Sequence, residues 1–441
     1  MTDSLILIGK AGALAARGSL ELTGQNIANA ATPGYARRSA QLAEVSSSAR
    51  IDFRDSDALG GVRIDGVART GSNHLAAEAR RTGADLARAD AELGVLRGAQ
   101  AALESADVFG ALTRFEASLS AMQFDPLDGS ARAVVLEEAR GTVAAIALAG
   151  ETMSAARATA LDAAQGDVDT INTLAAELAR TNTALARGRG GSAAQATLLD
   201  RRDDLLARMS DRIGISVAIA ADGTADVRTG AAPGVALVQG GTAAALSLDT
   251  LGTPQLSIAG APVEARSGAL EGTFRGIAAL DLAIAELDAL AGALAQSANA
   301  AQAMGTDAAG EPGAPMFEGA TAATLAVVLA DGGGIAAAPA NAATGSRHGT
   351  NLAALRDVAA TGARDAEALL TGVSADIAGK SVTREALEAI AAGAQGLLER
   401  ETGVDLDVEA ANLLRFQQAF QASGRVIQVA ADIFDTLLAI R

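Results

Sequence analysis

Residues 405–440 place the tightest constraint on what this chain can fold into. Leu406, Ala410, Leu413, Gln417, Phe420, Gly424, Ile427, Ala431, Phe434 and Leu438 step by four and three through the segment. A second stripe runs beside them through Phe416, Ala419, Ser423, Val426, Ala430, Ile433 and Leu437. That period is helical. Two adjacent stripes make an apolar face wider than a two-stranded seam requires. At 1.5 Å per residue the helix is roughly 50 Å long. Most helical stability comes from tertiary packing, so a helix this apolar needs several neighbours. The first partner available is a helix over 5–28, capped by Asp3 or Ser4, in which Leu7, Ala11, Leu14, Gly18 and Leu22 share one face. It is shorter and rich in small residues, so it cannot cover both stripes. The surplus apolar surface implies contact with other chains.

The rest of the sequence is also mainly helical. Leu75, Ala79, Thr82, Leu86, Ala89, Leu93, Leu96, Gln100 and Leu103 keep the same alternation, which predicts a long helix in coiled-coil-like packing. Further helices are expected over 108–123, 129–187, 194–212, 269–304 and 363–401, with Asp125-Pro126, the glycines at 188–191 and Gly403 as punctuation. Thr32-Pro33-Gly34-Tyr35 reads as a type II turn. Residues 36–73 read as extended, with a short strand through Val62, Ile64 and Val67. Between 213 and 266 the period drops to two around Ile215, Val217 and Ile219, and Asp222-Gly223 offers a hairpin turn. The expected fold class is therefore mainly α, a bundle of long helices with paired terminal helices and a small β insert. The expected division is an axial domain from 1–37 with 404–441, an elongated body from 38–212 with 267–403, and the insert at 213–266. Residues 305–350, rich in Gly, Ala and Pro, are expected to be loop with weak helix near 320–330.

Composition excludes several function classes. The net charge is −17, whereas nucleic acids and anionic lipid require clustered cations. There is no Cys, so thiolate catalysis, disulfides and Cys-based metal sites are absent. Only His74 and His348 supply imidazole. No signal peptide or membrane span is expected, since Asp281, Glu286 and Asp288 interrupt the most apolar long run. Asp200, Asp203, Asp204 and Asp211 alternate with Arg201, Arg202, Arg208 and Arg212. That pattern reads as a solvated, ion-paired helix face rather than a metal site. Asp52, Asp55 and Asp57 fail the spacing of a calcium loop. The serines at 46–48 have no partnered His. The sequence offers no catalytic constellation and no cofactor site, so the chain is expected not to be an enzyme.

Three segments resemble a known family. The run from Thr23 to Arg37, TGQNIANAATPGYAR, resembles the N-terminal signature shared by flagellar rod, hook and hook-associated proteins. The run from Gly403 to Ser423, GVDLDVEAANLLRFQQAFQAS, resembles the ending of the hook-associated branch, and LLDRRDDL at 198–205 is similar to a segment of that branch. The resemblance implies a secreted structural subunit at the junction of hook and filament. It would leave the cell unfolded through the flagellar type III export apparatus and assemble through its terminal helices. The implied partners are further copies of the chain, the hook protein, hook-associated protein 3 and an export chaperone that masks the C-terminal helix. Neither nucleic acid nor membrane insertion is implied. The expected assembly contacts are Leu14, Leu22, Asn26, Ile27, Asn29, Pro33 and Tyr35 on the N-terminal side. On the C-terminal helix they are Leu413, Phe416, Phe420, Ile427, Phe434 and Leu438. Two other readings compete: another axial subunit, such as a hook protein with a largely β body or a distal rod subunit, and a secreted coiled-coil effector.

Overall fold

In a computed structural model, residues 2–45 and 61–439 are described. Asp52, Asp55, Asp57 and the serines at 46–48 lie outside them. The first helix, α1, spans Thr2–Asn29. A hairpin follows, β1 (Arg38–Glu44) and β2 (Val62–Arg69), paired antiparallel with a bulge between Gln41 and Leu42. Next come α2 (Asn73–Ala106), α3 (Val108–Met122), α4 (Gly129–Arg187) and α5 (Ala193–Arg212). Side chains fix where these helices begin. Ser72 accepts from the amide of Leu75, Asp128 from that of Ser130 and Ser192 from that of Gln195. Asp107 makes the corner between α2 and α3 by itself. It takes the left-handed conformation at φ 49° and caps α3 by accepting from Gly110 N–H. With 59 residues, α4 is about 88 Å long and forms the spine of the molecule.

The period-two segment folds as seven short strands: β3 (Ile215–Ile219), β4 (Ala225–Thr229), β5 (Val235–Gln239), β6 (Thr242–Ala243), β7 (Leu246–Asp249), β8 (Gln255–Ile258) and β9 (Ala261–Val263). They form two antiparallel sheets, β3-β4-β5-β6 and β7-β8-β9. Then come α6 (Gly268–Ala303), four two-residue strands β10 (Gly305–Thr306), β11 (Phe317–Glu318), β12 (Ala326–Val327) and β13 (Ala338–Pro339), α7 (Leu352–Thr402) and α8 (Leu406–Ala439).

Two cores lie along the spine. One joins α2, α3, the first half of α4, α6 and the first half of α7 around Leu112, Phe115, Leu119, Ile146, Met153 and Leu294. The other joins the second half of α4, α5 and both small sheets around Ile171, Leu178, Leu205, Val227 and Leu256. The β insert therefore shares a core with two helices rather than closing its own. Asn172 and Asn182 on α4 hold it in place. Asn182 accepts from Ala225 N–H and donates to the carbonyls of Ala225 and Gly240, and Asn172 makes the same two-way contact with Leu246.

Residues 305–350 depart from the sequence reading. No helix forms over 320–330. The segment runs irregularly across the first core, with Met316, Phe317, Leu325 and Ile335 buried in it. Its backbone groups are satisfied by side chains of the flanking helices. Asn299 accepts from Met316 and Phe317, Gln302 accepts from Ala336, and Asn351 donates to Ala301 and Ala336. Arg132, buried on α4, donates to the carbonyls of Pro126, Gly332, Gly333 and Ile335. A cation surrounded by carbonyl oxygens replaces regular secondary structure here. The helix expected over 363–401 starts earlier, at Leu352, because Asn351 is held in this same network.

Candidate assembly interface

The N-terminal signature ends in a compact joint. Thr32 N–H donates to Asn29 O and Tyr35 N–H to Thr32 O, with Gly34 at φ 76° in the third position of the turn that the sequence predicts. Asn26, fully buried, works in both directions. Its Nδ2 donates to Arg38 O at 2.8 Å, while its Oδ1 accepts from Arg38 N–H at 3.0 Å and from the Tyr35 hydroxyl at 2.8 Å. The Arg38 guanidinium lies over the Tyr35 ring, 5.0 Å from its centroid. Burial pushes the Tyr35 phenol up from its ordinary pKa. Arg38 opposes that shift, and Asp200 and Glu409 add to it.

The same joint clamps both ends of the chain to the body. Arg37 N–H donates to Thr402 O at the end of α7, and Arg37 Nε donates to Glu409 Oε1 at 2.7 Å on the first turn of α8. Asp405 caps that turn by accepting from Asp407 and Val408 N–H. On the other side, Arg38 and Arg69 of the hairpin both donate to Asp200 of α5 at 2.6 Å, and Arg69 also reaches Asp203 at 2.8 Å. Arg202 is buried between Asp203 and Gly223 O. The sequence reading of a solvated face holds for Arg201, Asp204 and Arg208, which pair on the surface. It is corrected for Asp200 and Asp203, which face two arginines far away in sequence that helical spacing cannot reveal.

From the joint, α8 runs antiparallel to α1. The two helices meet on the small face of α1. A Cβ on Gly9 would lie 2.7 Å from Ile427 Cγ1, and one on Gly12 would lie 2.7 Å from Ser423 Oγ. Gly9, Gly12, Ala16, Ser19, Thr23 and Asn26 continue that face by steps of three and four. The apolar stripe read from the sequence faces elsewhere. Ala11 and Gly18 lie under Gly61 and Ile64 of the hairpin, and Leu7 and Leu14 stay exposed. Helix contact selects the stripe that lets backbones approach, and the small face permits it.

Packing on α1 covers only part of α8. Glu409 and Ala430 are buried. Leu413, Phe416 and Ile427 are half-buried. Phe420 and Phe434 remain exposed. Opposite α1, Leu414 is 59% exposed and Val429 56%. Both lie outside the two stripes that the sequence singled out, since a helix with three apolar faces defeats a reading that looks for one. Of the other expected contacts, Leu22 and Asn26 are buried within the chain and cannot touch a neighbour directly. Ile27 and Pro33 are exposed, and Asn29 and Tyr35 half-buried. The Leu438 side chain lies outside the described residues.

His74 and His348 are both exposed. Among the described residues no three His, Asp or Glu side chains form a metal-holding group, and no helix is long and apolar enough to cross a membrane.

Two stretches of the chain match known families. Residues 100–317, from the end of α2 through the β insert and α6 to β11, match the family model for the flagellar hook-associated protein FlgK helical domain. Residues 394–440, the end of α7 and all of α8, match that for the flagellar basal body rod FlgEFG protein C-terminal region. By these matches the chain is similar to the FlgK flagellar hook-associated proteins over its body and to flagellar rod proteins over its last helix. Flagellar hook-associated protein 1 from Salmonella typhimurium strain LT2 is 26% identical over 333 residues, which cover 71% of this chain and 59% of that protein, and the Salmonella typhi protein matches equally. The chain thus spans about 59% of the length of the curated relatives it matches. The solved flagellar hook junction protein FlgK from Burkholderia pseudomallei matches with a TM-score of 0.49 and 23% identity, over 56% of this chain and 46% of that one.

Proposed function

We propose that this chain is a structural subunit of the bacterial flagellum that joins hook to filament. It acts by packing and not by catalysis. The observation that carries the reading is the shape of α8, which is held by α1 along one face and leaves Leu414, Phe420, Val429, Ile433 and Phe434 in solvent. Large apolar side chains left in solvent on more than one side of a long helix mark an interaction site. Neighbouring copies of the chain, the hook protein and hook-associated protein 3 are the partners that cover it. Before assembly an export chaperone masks it, and the subunit leaves through the flagellar type III apparatus. The surface contacts are Leu14, Ile27, Asn29 and Pro33 on the N-terminal side and Phe420 and Phe434 on α8, with the half-buried Leu413, Phe416 and Ile427 shared between α1 and a neighbour. Leu22, Asn26 and Tyr35 shape the joint behind them. A hook subunit would need a largely β body, which this helical chain does not have.

The test is removal of 405–441 in cells that lack their own junction protein. The truncated chain, with both cores intact, should be soluble and folded, and cells should carry hooks without filaments. Filaments restored by the truncated chain would contradict the proposal.

A further inference from the structure

The second half of α7 carries an apolar face that the terminal coiled coil does not explain. One side of this half-helix packs on α2, where Lys380 Nζ meets Glu92 and Arg384 Nε meets Asp90 at 2.7 Å, and Ala394 is buried. The opposite side presents Val382, Ile390 and Leu397, which are 68%, 54% and 53% exposed. Ala386 and Gly393 lie between them, also exposed, so large and small positions alternate at steps of four and three. A Cβ on Gly393 would meet nothing within 4 Å. That is the pattern of knobs and holes awaiting a second helix.

We propose that this face receives α8 of a second copy of the chain. The inference rests on the reading that the outer face of α8 meets neighbouring copies, and it names where on the neighbour that face lands. Three observations select this occupant. First, charge is complementary. Glu385 and Glu401 flank the α7 stripe, Arg415 and Arg425 lie among Leu414, Val429 and Ile433 on the outer face of α8, and none of the four is in an ion pair among the described residues. Opposite potentials across a contact set register and reject wrong partners. Second, the stripe is continuous with the coiled coil, because α7 leads into α8 through Gly403. Third, the chain's own α8 is already committed. It leaves the joint along α1, with Ser423 and Ile427 seated on Gly12 and Gly9. With that side committed to α1, its outer face is free for another copy. A contact between two different surfaces is heterologous, and repetition builds a ring or a helical layer rather than a closed pair.

The absence of Cys makes cross-linking unambiguous. Two differently tagged chains would be co-expressed in cells that lack their own junction protein, one with Ile390→Cys and the other with Leu414→Cys, Ala422→Cys or Val429→Cys. Isolated hook–filament structures would then be treated with a short bismaleimide. A product carrying both tags is expected for at least one pairing. If the α8 cysteines cross-link only to each other or to Leu14→Cys, the α7 docking is overturned while the assembly role of α8 stands. If no pairing links and the chain is missing from flagella, both fall. A charge test runs independently. Glu385→Arg with Glu401→Arg should leave thermal melting of the monomer unchanged and lower the number of filament-bearing cells roughly tenfold. Adding Arg415→Glu with Arg425→Glu should restore it, and failure of the restored pairing to recover filaments would overturn the docking.

Discussion

Arg37 and Glu409 stand 372 residues apart in the chain and meet at 2.7 Å, with the Glu409 carboxylate only 1% exposed. The contact joins the last residue of the N-terminal signature to the first turn of the C-terminal helix. Removing one partner of a buried pair costs more than the pair contributes, because the remaining charge keeps its desolvation penalty. Arg37→Met should therefore loosen the start of α8 by about 3 kcal/mol, and Glu409→Gln, which keeps a hydrogen-bond acceptor, by about 1 kcal/mol. Hydrogen exchange at the amides of 408–412 reads both. Equal protection in the two variants would remove the pair from the joint.

Tyr35 is the single tyrosine, and there is no tryptophan, so its ultraviolet titration is free of overlap. Burial raises its pKa above that of a free phenol, although Arg38 pulls the other way. Stability from this group is complete below the unfolded pKa and is lost as pH rises through the higher folded value. The titration midpoint should lie above that of a model phenol and fall back to it once the chain is denatured. Tyr35→Phe should abolish the signal and flatten the alkaline loss of stability.

Asp200 neutralises two arginines at once, Arg38 and Arg69, in a setting where all three side chains are largely buried. Asp200→Ala leaves both guanidiniums short of a partner, at a cost of about 3 kcal/mol. The loss should appear as a lower melting temperature and as faster exchange in β1 and β2, with α3 unaffected. An Asp200→Asn variant as stable as the parent would mean that charge plays no part in holding the hairpin.

Asn182 should be the most sensitive polar position in the second core. Its amide makes three hydrogen bonds to the backbone of the insert, to Ala225 in both directions and to Gly240. Asn182→Ala strands those groups and should destabilise the chain by about 2–3 kcal/mol. Asn182→Asp, which keeps the acceptor but turns a buried carboxylate oxygen on the carbonyls of Ala225 and Gly240, should be at least as damaging as the alanine variant in chemical denaturation.

These positions also mark what can be read from the sequence and what cannot. The limits of α4 at Gly129 and Arg187 are legible because Asp128 caps one end and a glycine run closes the other. The turn at Pro33-Gly34 is legible because few residue pairs satisfy its geometry. By contrast, the order of 305–350 depends on Arg132, Asn299, Gln302 and Asn351, which reach it from distant segments. No local pattern announces such contacts. The pairing of Asp200 with the hairpin is hidden for the same reason. On α1, periodicity picks out the greasier stripe, yet Gly9 and Gly12 supply the contact. Leu414 and Val429 on α8 are hard to read from periodicity because the two flanking stripes are more apolar than the face they occupy.

The central claim is that the face of α8 turned away from α1 is covered by neighbours in the flagellum. Leu414, Val429 and Ile433 are all exposed, so replacing each with Glu costs the fold of the chain little. Complementation of cells lacking their own junction protein with this triple variant tests the claim most directly. A monomer that melts like the parent together with hooks that bear no filaments is the outcome the account requires. Filaments attached at parental frequency would contradict it.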